Sequence, residues 1–172
     1  MTAEAVRPLA EIPAGTKVFL DSTIFLYHFT GASPECRGLL ERCAAREVRA
    51  LTSTLVLAEV THRLMTIEAA ERGLVSPGQV VKKLRERPDI IRQLFQYQEQ
   101  VEKIPWMGIE VVALERPTLA TAGPLRSRYG LLTNDSLLAA TALERGATAF
   151  ASADRDFERV EGLRLYAPTD LG

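Results

Sequence analysis

Cysteine is scarce in this chain, and several features that would identify it at once are missing. The two cysteines, Cys36 and Cys43, lie seven residues apart in a stretch that reads as helix. Seven helical residues rise by about 10 Å, which is too far for a disulfide. Two lone thiols suit a reducing cytosol, so a cytoplasmic protein is expected. No run of about 18 apolar residues occurs, which excludes a membrane-spanning helix. Met1 to Lys17 carries Glu4, Arg7 and Glu11 and lacks the apolar centre of a signal peptide. It reads as a short N-terminal arm over residues 1–16. Nothing like G-x-G-x-x-G follows Leu20, and no P-loop is present, so neither dinucleotide nor P-loop phosphate binding is expected. Nor does one sign of charge dominate. A formal net charge of −1 excludes the footprint of a dedicated nucleic-acid coat protein. It leaves open a site whose potential is set by bound cations.

What is present is a globular chain. Its 172 residues, 47% of them hydrophobic, suffice for one domain with a real core. Short β-rich runs stand at Val18 to Leu20, Val48 to Thr52, Ile109 to Leu114, Thr148 to Ser152 and Leu163 to Tyr166. Stretches with helical spacing separate them. Ser33-Pro34-Glu35 opens a helix to about Ala45, and Thr54 to Arg72 is a longer one stopped by Gly73. Ser76-Pro77 opens a third, interrupted at Pro88, and Asp89 to Lys103 continues it. Pro117 to Arg128 and Asn134 to Arg145 are the last two. Alternating strands and helices predict an α/β fold with a central parallel sheet of about five strands, covered on both faces. Residues 17–172 form that domain, with a helical insertion at about 73–108.

In such a sheet, ligands bind beyond the carboxyl ends of the strands. Acidic residues sit at those places. Asp21 follows the apolar Val18-Phe19-Leu20 directly; a helix N-cap explains it equally well. Glu59 stands among Leu55, Val56, Leu57, Ala58 and Val60, so it is either on a thin polar face or buried beside a cation. Asp135 heads the apolar stripe of Leu138, Ala139 and Ala142, where an acid also favours the helix dipole. Asp154 and Asp156 follow the strand ending at Ser152; turn chemistry accounts for one acid better than for two. Carboxylates converging on one edge of a sheet repel one another and persist with compensating cations. Oxygen-only ligands select hard ions, Mg²⁺ or Mn²⁺. Such a site can activate water for attack on a phosphodiester.

The order Val18-Phe19-Leu20-Asp21-Ser22-Thr23, Ser53 to Glu59, Asn134 to Ala142 and Ala151-Ser152-Ala153-Asp154-Arg155-Asp156-Phe157 resembles the PIN-domain family. Within it, the chain looks most like the VapC-like toxins of bacterial toxin–antitoxin pairs. The resemblance spans Lys17 to about Pro168. It implies a Rossmann-like sheet, an acidic site for Mg²⁺ or Mn²⁺, endoribonuclease activity on RNA, a homodimer and a small antitoxin partner. It implies catalytic roles for Asp21, Glu59, Asp135 and Asp154, with Asp156 as a further metal ligand. Ser152, with Ser22 beside the first acid, would support them by orienting Asp21. The stretch from about Thr66 to Pro117 is longer than in compact members of the family. A non-catalytic PIN-fold module that binds RNA or protein, and a DNA-directed nuclease, are the alternatives.

Other signals point elsewhere. Lys82, Lys83, Arg85, Arg87 and Arg92 form a basic run, interrupted by Glu86 and Asp89, that reads as a solvated face or a phosphate contact. Arg126 and Arg128 precede Asp135 and are further candidates for nucleic-acid binding. Glu59 and His62 have the spacing of a di-iron helix, but His28 has no matching Glu. A haloacid-dehalogenase-like phosphatase needs a second Asp where Thr23 stands.

Overall fold

Val18, Phe19 and Leu20 are wholly excluded from solvent, as are Phe150 and Ala151. Strands apolar on both sides need cover on both sides, the signature of a parallel sheet flanked by helices. A computed structural model, which describes residues 5–172, has that architecture. The strands are β1 (Arg7–Pro8), β2 (Lys17–Leu20), β3 (Arg49–Ser53), β4 (Ile109–Val112), β5 (Ala149–Ala151) and β6 (Arg164–Ala167). The helices are α1 (Ser22–Phe29), α2 (Pro34–Ala44), α3 (Thr54–Glu71), α4 (Val80–Glu86), α5 (Pro88–Ile91), α6 (Gln96–Glu102), α7 (Arg116–Tyr129) and α8 (Thr133–Glu144). Every strand pairs in parallel, in the order β1-β6-β5-β2-β3-β4.

This order places the chain's turning point at the middle of the sheet. From β2 the chain builds outward through β3 and β4, then crosses back to lay β5 and β6 on the other side. A crevice opens where neighbouring strands send their connections opposite ways. Here that seam lies between β2 and β5, in register from Val18↔Ala149 to Leu20↔Ala151. Phe19 stacks on Phe150 across it at 5.1 Å, and Phe150 stacks on Phe157 at 4.1 Å. The aromatic column anchors the turn that follows β5.

The sheet holds one strand beyond the five read from the sequence. Arg7 and Pro8 pair with Tyr166 and Ala167 at its edge. An edge position is where a strand tolerates proline, since no ladder amide is needed there. The first four residues of the expected arm lie outside the described residues. Among the described residues no helix is long and apolar enough to cross a membrane. Both cysteines are free and buried, and burial pushes their thiols up to about 11 and about 12. At those values they stay protonated and unreactive.

Residues 73–108 contain α4, α5 and α6 around a small apolar cluster of Val75, Leu84, Ile90 and Leu94 against Ala69 of α3. The continuous helix expected over Asp89 to Lys103 is broken between α5 and α6. Glu68 is the physical reason. Its carboxylate, only 4% exposed, accepts the amides of Phe95 at 3.1 Å and Tyr97 at 2.9 Å. Those amides are free because a new helix starts there. Arg72 donates to the same carboxylate at 2.9 Å and to the Gln93 carbonyl at 2.7 Å.

Burial opposes charge on Glu68, but the Tyr97 and Phe95 amides and the Arg72 guanidinium outweigh it and hold the carboxyl below its usual range. A depressed folded value means stability that is full above the unfolded pKa of about 4.3 and lost as pH falls through the folded one. Glu68→Gln should therefore cost about 1.5–3 kcal/mol at pH 7. It should also flatten the acid side of the stability profile. Urea unfolding of both proteins between pH 3 and pH 7 checks this, and equal stabilities at pH 7 would refute it.

Candidate functional site

Asp21 occupies the N-cap position of α1, yet its side chain caps nothing. Its Oδ2 instead accepts the Ser152 hydroxyl at 2.6 Å, across the seam between β2 and β5. The backbone closes the same gap, with the Asp21 amide donating to the Ala151 carbonyl at 3.0 Å. The carboxyl is 5% exposed. Burial pushes it up; the Ser152 hydroxyl and the Ser22 amide oppose that, and the charge of Glu59 adds to it.

The turn after β5 carries the next two acids. Ser152 is wholly buried and accepts the Asp154 amide at 2.9 Å while donating to Asp21. Asp154 in turn accepts the Asp156 amide at 2.8 Å, the turn chemistry expected of an aspartate there. Thr23, one residue beyond Ser22, accepts the Ala153 amide at 3.0 Å. Its hydroxyl lies 3.3 Å from Asp21 Oδ2 and 3.4 Å from Ser152 Oγ. Thr23 lies in the first motif, but no role for it at the acids follows from the sequence. A hydroxyl two residues after a strand-end acid was the available signal.

Asp135 reaches the same place from the first turn of α8. One oxygen each from Asp135, Asp154 and Asp156 lies within 4.8 Å of the others. Burial, then the charges of Asp154, Asp21, Asp156 and Glu59, push the Asp135 carboxyl up to about 6. The half-buried Glu59, on α3, therefore acts on both Asp21 and Asp135. The strongest charges on these two acids are other carboxylates. Oxygen-only donors in mutual repulsion are what a hard divalent cation requires, so the residues present fit Mg²⁺ or Mn²⁺.

The basic candidates lie apart from this arrangement. Lys83 turns its ammonium onto Ser76 and the Pro77 carbonyl, 2.7 Å from Ser76 Oγ. Lys82 is exposed on α4. Arg128 pairs with Glu161 at 2.5 Å and covers the Tyr129 ring. Arg126 comes nearer, donating at 3.0 Å to Ser136, the neighbour of Asp135. Arg159, not singled out in the sequence, pairs with Asp156 at 2.7 Å. His62 is exposed, and no group of acids and histidines gathers around it among the described residues.

Comparison with known proteins bears on the family and the fold. The PIN domain family model matches residues 18–163. Ribonuclease VapC2 of Methanocaldococcus jannaschii is 26% identical over 151 residues, covering 87% of this chain and 92% of that one. VapBC2 from Rickettsia felis, solved bound to a DNA fragment from the promoter, shares the fold with a TM-score of 0.60 at 19% identity; the match covers 88% of this chain and 98% of that one. A toxin–antitoxin complex from Klebsiella pneumoniae does so with a TM-score of 0.55 at 18% identity, over 85% and 94% of the two chains.

Repulsion at Asp135 has a measurable consequence. A folded value above the unfolded 3.9 makes stability fall as pH rises toward about 6, and the penalty is full beyond that. Discounted for partial exposure, Asp135→Asn should stabilise the cation-free protein by about 1–2 kcal/mol at pH 8. The gain should shrink toward pH 4. Denaturant unfolding in EDTA at pH 8 and pH 4.5 reads it, and a variant no more stable at pH 8 would contradict the repulsion.

Proposed function

This chain belongs to the PIN-domain family, and on that premise we propose that it is a metal-dependent endoribonuclease acting as the toxin of a toxin–antitoxin pair. The observation that carries the reading is the convergence of Asp135, Asp154 and Asp156 within 4.8 Å, at the seam where Asp21 is buried. Asp21, Asp135 and Asp154, with Asp156 beside them, would hold Mg²⁺ or Mn²⁺. An ion bound there would supply Lewis acidity, which makes water a nucleophile near neutral pH and offsets negative charge growing on the phosphoryl oxygens.

The remaining chemistry belongs to the side chains. Ser152 keeps the Asp21 carboxylate turned toward the seam through its 2.6 Å hydrogen bond. The Ser22 amide supports the charged form of the same group. Glu59 approaches from α3 and is the candidate to bind the ion or to accept the proton released by the attacking water. Arg126, whose guanidinium is held at the first turn of α8 beside Asp135, is the candidate to meet a phosphate at the site. Arg128, Lys82 and Lys83 are assigned to the more distant backbone contacts.

Carboxylates and metals act on phosphate and not on sugar, so the choice of RNA needs separate support. It comes from the similarity to Ribonuclease VapC2. A small antitoxin as partner is supported by the toxin–antitoxin complexes that share the fold. We assign a homodimer and a cytoplasmic setting on the same family reading. Residues 73–108 are proposed to be an insertion into the PIN domain of residues 17–172, and residues 1–16 an arm leading into it.

The test is direct. Purified protein is incubated with cellular RNA or DNA, with Mg²⁺, Mn²⁺ or EDTA, beside Asp21→Asn. RNA cleavage is expected with either metal and not with EDTA, and Asp21→Asn should lose at least about 100-fold in rate, the scale of removing one preorganised electrostatic group. Full metal-dependent activity in Asp21→Asn would overturn the assignment. Cleavage of DNA in preference to RNA would move the substrate class.

A further inference from the structure

We infer that Thr23 is a positioning residue that sets the separation of Asp21 and Asp154, and through it the affinity of the acid site for a divalent cation. The inference rests on the metal-site reading above and adds a residue to it. Asp21 and Asp154 come from different strands, β2 and β5, on the two sides of the seam. Register pairing ends at Leu20↔Ala151; the Asp21 amide still donates to the Ala151 carbonyl at 3.0 Å, but no backbone bond between the two strands reaches Asp154. Beyond that point two hydroxyls cross the gap. Ser152 donates to Asp21 Oδ2 at 2.6 Å and accepts the Asp154 amide at 2.9 Å. Thr23 reaches back from the first turn of α1 and accepts the Ala153 amide at 3.0 Å.

The Thr23 hydroxyl has one proton and two acceptors within reach, Asp21 Oδ2 at 3.3 Å and Ser152 Oγ at 3.4 Å. Either way the proton points into the Asp21–Ser152 pair. The amide contact is the better formed one. The two hydroxyls thus take two consecutive amides of the turn, at residues 153 and 154. One side of each hydroxyl faces the Asp21 carboxylate and the other faces the backbone that carries Asp154. Without Thr23, the Ala153 amide loses its acceptor and Ser152 alone ties the turn to β2. The turn is then free to move under the repulsion among Asp135, Asp154 and Asp156. Groups that orient metal ligands without touching the ion change affinity by about 10–100-fold when removed.

Mn²⁺ binding, followed by calorimetry or electron paramagnetic resonance without RNA, tests the role. Thr23→Val keeps the branched shape and lacks the hydroxyl; Thr23→Ser keeps the hydroxyl. Thr23→Val should weaken Mn²⁺ binding by about 10–100-fold, and Thr23→Ser should bind as the wild-type protein does. Unchanged binding in Thr23→Val, or an equal loss in Thr23→Ser, overturns the proposal. Asp21→Asn separates the two readings. If it loses Mn²⁺ while Thr23→Val does not, Thr23 alone is wrongly assigned. If the wild-type protein takes up no Mn²⁺, the metal site and the role of Thr23 fall together. Should Thr23→Val fail to fold, amide exchange at Ala153 in the wild-type protein decides. Protection is expected, and exchange at the rate of an open amide overturns the proposal.

Discussion

The buried hydrogen bond from Ser152 to Asp21 ties carboxylate to turn across the two halves of the sheet, where the Asp21 and Ala153 amides also cross. The site exists only if this seam stays closed. Below the bond, Phe19, Phe150 and Phe157 form a continuous stack that fixes the strands and the following turn. Above it, Asp135 arrives from α8 and Glu59 acts from α3. No single element holds the acids together. The strand order brings the ends of β2 and β5 side by side, and apolar packing resists the mutual repulsion of what those ends carry. Charge convergence and core formation therefore pull against each other at one place, the usual trade between stability and function.

Much of this was legible in the residues. A fully apolar strand followed at once by an acid, as in Val18 to Asp21, is informative because a carboxylate next to a buried strand needs a reason. The same holds for Phe150 to Asp154. Asp135 was legible because it stands on the apolar side of α8, where only a helix-terminal charge or a ligand fits. The alternative explanation of Asp21 as an N-cap was testable only in three dimensions, and its side chain makes no capping bond.

What escaped the sequence depends on distant partners. The break between α5 and α6 is set by Glu68, which reads as an ordinary surface glutamate until its buried contacts with Phe95 and Tyr97 are seen. A two-residue strand containing proline, Arg7–Pro8, carries no periodicity to detect. The basic run at Lys82 and Lys83 has a charge that any sequence reading finds, but Lys83 uses its ammonium on its own loop. Charge is visible in one dimension; the group that satisfies it is not.

The segment from α4 to α6 has its own apolar cluster and is tied to α3 through the Glu68 carboxylate and Arg72. Tyr97 and Val101 of α6 also pack against the main core, so the smaller cluster under α4 and α5 is the natural boundary for partial opening, released below the free energy of global unfolding. A change on α4 or α5 then meets this smaller cluster first and reaches the strand ends only through α3 and α6. The chain thus keeps the problem of holding like charges together apart from the small cluster under α4 and α5.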